Sequence, residues 1–142
     1  GNIIDYKFVE DFVLSLEEKF KVKIVSITYD KYNAISSVQK WEDAGYMMIE
    51  QKQHSQYLHL GTKKFREVAF EERVLYEDNI LFEINLQNAM LDRDTNLNMY
   101  INKKKSMGKI DIIDAIINAF CTIEIDSVEA RSVYEDRGFI FF

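Results

Sequence analysis

The chain has 142 residues, 47% of them hydrophobic and 13% aromatic, enough for one real core, which excludes a disordered or low-complexity protein. Its 18 Lys and Arg stand against 24 Asp and Glu, a net charge of −6, so a broadly basic surface is excluded and any nucleic-acid contact must be local or metal-assisted. The single Cys121 allows no internal disulfide and fits a reducing cytoplasm, and no apolar run approaches the roughly 20 residues of a membrane span.

In chain order, Asp5 to Phe20 places Phe8, Val9, Phe12, Val13, Leu16 and Phe20 at helical spacing, with Glu10, Asp11, Glu17, Glu18 and Lys19 largely opposite. This predicts an amphipathic helix packed on one face. Val22 to Tyr29 is β-branched and reads as a strand buried on both faces, ending at Asp30. Asn33 to Ala44 reads as a helix stopped by Gly45, and Tyr46 to Glu50 as a second strand. A helix joining two strands predicts a parallel pair, with chemistry beyond the carboxyl ends of the strands.

Gln51 to Gly61 is polar and holds both histidines, His54 and His59, neither with a spacing partner for zinc. Thr62 is the expected cap of a helix running to about Tyr76, and Asn79 to Ile84 is a short apolar segment. Asp92 to Asn98 carries turn chemistry between two apolar arms, which predicts a β-hairpin, with a helix for its first arm as the alternative. Lys103, Lys104 and Lys105 follow, and Gly108 precedes the stretch Lys109 to Phe120. There Asp111, Asp114 and Asn118 share one narrow stripe of an otherwise apolar helix, which predicts a helix buried over most of its circumference. Buried Asp is uncommon unless paired or bound to a cation, so these carboxylates and Asp30 are candidate site residues. The tail ends in Gly-Phe-Ile-Phe-Phe, an apolar segment that needs a surface to dock on.

The ordered set Tyr29-Asp30-Lys31-Tyr32-Asn33-Ala34, Gly45, Gln53, Asn79-Ile80, Asn88-Ala89, the acidic turn at Asp92 and Asp94, Lys103, and Lys109-Ile110-Asp111 with Asp114-Ala115 is distinctive. It resembles the C-terminal nuclease domain of the large terminase subunit of tailed bacteriophages, from about Asp5 to Phe120. The resemblance implies an α/β fold with a ribonuclease-H-like core, here lacking its first strands, with a β-hairpin insertion and flanking helices, in one domain. It also implies a metal-dependent endonuclease that cuts double-stranded concatemeric DNA in the host cytoplasm during genome packaging.

By that resemblance Asp30 and Asp111 are the catalytic carboxylates. With Asp114 in support, they are also the ligands for magnesium or manganese. Lys103 and Lys105 are the expected phosphate contacts, the alternative being a solvated loop. The family's first acidic ligand is expected on a strand upstream of residue 1, so the site is expected to be incomplete and cleavage by these 142 residues feeble. The implied partners are double-stranded DNA, the small terminase subunit and the portal protein, with no membrane. The competing reading is a non-catalytic interaction module that docks to the portal or the small subunit.

Overall fold

The computed structural model describes residues 3–32 and 35–123. Asp5 caps α1 (Tyr6–Phe20) by accepting the Phe8 amide at 3.3 Å. Then come β1 (Ile27–Tyr29), α2 (Ile35–Asp43), β2 (Met48–Glu50), α3 (Ser55–Phe70), α4 (Ile80–Asn88), β3 (Leu91–Arg93), β4 (Met99–Ile101) and α5 (Asp111–Phe120). β1 and β2 pair in parallel, Ile27 opposite Met48 and Tyr29 opposite Glu50, as the helix between them requires. β3 and β4 form the expected antiparallel hairpin, Leu91 opposite Ile101. Gly45 takes φ +93° just beyond α2, and the Tyr46 amide reaches back to the Trp41 carbonyl, a left-handed helix stop.

The core lies where α3, α4 and α5 meet. Phe65 and Val68 of α3, Phe82 of α4, and Ile113 and Ile117 of α5 are all buried, Ile113 to 1% exposure. Phe65 and Phe120 stack edge to face at 5.4 Å, and Tyr76 caps Phe82 the same way at 4.6 Å. The hairpin packs on α3 through β4, and β1 touches α5, so the strand pairs meet two of the three helices that hold the core.

Several expectations are corrected. The buried residue of α1 is Glu10, while Phe8 is 70% exposed and Phe12 and Phe20 are also exposed. The Glu10 carboxylate is tolerated there because it accepts the Ser37 hydroxyl at 2.7 Å and pairs with the Lys40 ammonium, both from α2. The strand expected over residues 22–29 shrinks to Ile27–Tyr29, half-buried, because β2 offers three residues of ladder; Val25 is exposed.

α3 begins at Ser55, inside the stretch read as a polar loop, and ends at Phe70. Thr62 is therefore an interior residue, buried, its hydroxyl donating to the Leu58 carbonyl at 2.8 Å. The apolar segment after Asn79 is helix α4, with the Asn79 side chain accepting the Phe82 amide at 3.1 Å. α5 is less enclosed than expected: Ile110, Ile113 and Ile117 are buried, but Asp111, Ala115 and Ala119 are exposed. The Gly138-to-Phe142 tail, Asn33 and Ala34 lie outside the described residues. Among the described residues no helix is long and apolar enough to cross a membrane.

Candidate functional site

The site is assembled around the hairpin's exit. Asp94 organises the turn, its carboxylate accepting the Asn96 amide at 2.8 Å, the Asn98 amide at 2.9 Å and the Ser55 hydroxyl at 2.5 Å. Those donors hold its pKa down to about 2, the Ser55 and Asn98 side chains contributing most. The His59 ring of α3 accepts the Met99 amide at 2.8 Å, so the start of β4 is tied to α3.

Beyond β4 the chain turns on Asn102, whose side-chain oxygen accepts the Lys104 and Lys105 amides at 3.0 and 3.3 Å. This Asx-type turn fixes the backbone under all three lysines. Asp92 of β3 accepts the Lys105 ammonium at 2.7 Å and the Asn102 amide group at 3.0 Å. Lys105 foremost, then Asn102, lowers the Asp92 pKa to about 2, and the same contact raises that of Lys105.

Lys103 points the other way. Its ammonium stands 2.5 Å from Asp114 on α5, with the lysine side chain 67% exposed and the carboxylate 21% exposed. One turn further along α5, Asn118 accepts the Gln53 side-chain amide at 3.1 Å. Gln53 follows β2, so the carboxyl end of the parallel pair reaches α5. Gln53, Tyr100, Asn102, Lys103, Asp114 and Asn118 line one open cleft of about 520 Å³.

The start of α5 is held from outside the helix. Ile110, its N-cap residue, offers no side-chain cap; the buried Asn85 of α4 instead accepts the Ile112 amide at 3.0 Å and donates to the Leu81 carbonyl at 2.9 Å. Asn88 adds a bond to the Lys109 carbonyl at 3.1 Å. Two asparagines of α4 thus set the position of the turn that carries Asp111 and Asp114.

Among the expected site residues, Lys103 and Asp114 meet directly, and Lys105 pairs with Asp92. Asp30 lies one residue past β1 and Asp111 opens α5; both are exposed, and among the described residues neither side chain makes an ion pair or hydrogen bond. The carboxylate and amide oxygens of Asp114, Asn118 and Gln53 are hard donors of the kind magnesium and manganese take. They fit one such ion in kind. Among the described residues no three His, Cys, Asp or Glu side chains gather as a metal-holding group. Neither Asn85 nor Asn102 stands out in the sequence as a site residue. The Asn-Lys-Lys-Lys order was the available signal for Asn102, since Asn favours turns that cap the following amides; Asn85 has no comparable signal.

The family model for the terminase large subunit, endonuclease domain, matches residues 1–126. The crystal structure of the HK97 bacteriophage large terminase superposes with a TM-score of 0.74 at 18% identity, over 87% of this chain and 26% of that one. At that identity the likeness shows the fold, and the chain spans about a quarter of that protein's length. No curated protein matches the chain.

Proposed function

This chain belongs to the endonuclease-domain family of terminase large subunits, and we propose that it is the DNA-cutting part of a larger phage packaging protein. Its core is then ribonuclease-H-like, and its substrate is double-stranded concatemeric DNA in the host cytoplasm. The observation that supports this most is the ion pair of Lys103 with Asp114 inside an open cleft, a carboxylate and an exposed lysine ammonium side by side.

Asp114 is the carboxylate that the cleft presents to magnesium or manganese, and the family resemblance adds Asp30 and Asp111 as ligands, although among the described residues the three do not gather as one metal-holding group. A divalent ion there would activate water and relieve charge on the leaving oxygen. The chain's own residues position the substrate: Lys103 holds a phosphate oxygen, and the amide groups of Asn118 and Gln53 orient the backbone within the cleft. Lys105 is a second phosphate contact once it leaves Asp92. A chain of net charge −6 needs such local cations to approach DNA at all.

Nicking of supercoiled plasmid by the full-length protein tests this. Manganese-dependent nicking that is lost in Asp30→Asn and Asp111→Asn is the expected result. Nicking that persists with chelator, or in both variants, overturns it. The exposed Phe8, Phe12 and Phe20 of α1 favour a second reading, a module that docks to the portal or small terminase subunit. Absence of nicking with every divalent ion, together with portal or small-subunit binding lost in Phe8→Ser/Phe12→Ser, would establish it.

A further inference from the structure

Lys103 occupies the carboxylate oxygen that a divalent cation at Asp114 would take. The Lys103 ammonium lies against Asp114 Oδ2, and a hard cation binds a carboxylate oxygen at about 2.0–2.6 Å. The two positive charges would then stand within a few ångströms of each other in a half-enclosed cleft, where Coulomb repulsion opposes their holding the carboxylate together. The side chains are built for exchange. The carboxylate is largely enclosed, whereas Lys103 approaches it on an exposed stem from the open side. The backbone beneath Lys103 is pinned by Asn102, and its neighbour Lys105 by Asp92. Withdrawal of Lys103 therefore costs a side-chain rotation and leaves the turn in place.

We propose that Lys103 is a resident counter-ion for Asp114, which a divalent cation displaces, so that cation binding frees this ammonium within the cleft. The inference rests on the reading of Asp114 as a cation ligand given above. It assigns Lys103 a task before substrate arrives: it keeps the enclosed carboxylate neutralised in the ion-free chain and lowers its affinity for the ion.

Manganese binding to the 142-residue chain, counted from the free-ion signal by electron paramagnetic resonance, tests this without any cleavage. Lys103→Gln should bind manganese more tightly than the unaltered chain, by about two- to fivefold, the scale of a surface ion pair. Lys63→Gln removes the same charge from the exposed side of α3, where Lys63 faces Glu67, and should change the affinity by much less. An unchanged or weaker affinity in Lys103→Gln overturns the exchange while leaving the metal reading intact. An equal gain in Lys63→Gln overturns it in favour of bulk charge. Manganese binding by neither the unaltered chain nor Lys103→Gln removes the metal reading and the exchange together.

Discussion

His59 and Met99, forty residues apart, are joined by a 2.8 Å hydrogen bond from the Met99 amide to the imidazole Nδ1. That bond needs the neutral ring with its proton on Nε2. It anchors the hairpin on α3, and Met99 is only 4% exposed. His59→Ala leaves this amide unpaired, at a cost of about 1–3 kcal/mol. The melting midpoint should fall, each kcal/mol being worth roughly 2–8 °C for a chain of this size. His59→Asn, whose side-chain oxygen sits near the place of Nδ1, should recover part of the loss in thermal melts.

Asp92 locks the lysine turn through charge, and acid should unlock it. Its folded pKa of about 2 lies below the ordinary 3.8, so the bonds to Lys105 and Asn102 contribute stability that is complete above 3.8 and lost as pH falls through 2. Amide signals of Lys104 and Lys105 in a heteronuclear NMR titration should move with a midpoint near the lower value. In Asp92→Asn that transition should vanish, and a midpoint near 3.8 in the unaltered chain would contradict the observed pairing.

At Gly61 the backbone of α3 lies close against the end of α5. A Cβ added there would meet Cys121 Sγ and lie 2.5 Å from the Ile117 carbonyl oxygen. Gly61→Ala gains about 1 kcal/mol of helix propensity but forces apart a packed contact, typically at about 1–3 kcal/mol or more. A net loss of stability is expected, read as a lower denaturant midpoint. Cys121→Ala should rescue little of it, because the Ile117 carbonyl belongs to the backbone and stays.

Asn85 connects the core to the cleft. Asn85→Leu preserves approximate size but removes both the acceptor for the Ile112 amide and the donor to the Leu81 carbonyl. The orphaned groups cost about 1–3 kcal/mol each when buried. Because Asn85 holds the first turn of α5, plasmid nicking by the full-length protein should drop at temperatures where the variant remains folded. Unaltered nicking with a lowered melting midpoint would confine Asn85 to a structural part.

What local chemistry decides was legible in the residue order. The Asp-Arg-Asp-Thr-Asn-Leu-Asn turn, the Gly45 stop and the helical spacing from Lys109 to Phe120 act within a few residues, and each formed as expected. The pattern over Asp5 to Phe20 also predicts its helix. It does not say which face is covered, since that depends on α2 supplying Ser37 and Lys40 for Glu10. The polar text from Gln51 to Gly61 conceals about two helical turns, Ser55 to Gly61, because α3 is held by distant partners: β4 at His59, and α5 at Gly61.

The same division runs through the cleft. Lys103, Lys104 and Lys105 are indistinguishable as text, and no spacing rule separates a ligand from a strut. Tertiary structure turns Lys103 toward Asp114 and Lys105 toward Asp92, because each ammonium goes to the nearest carboxylate the fold presents. Composition and order determined that a carboxylate-bearing helix follows a lysine turn. Packing of α4 on α5, through Asn85 and the buried isoleucines, determined which carboxylate faces the cleft and which faces solvent.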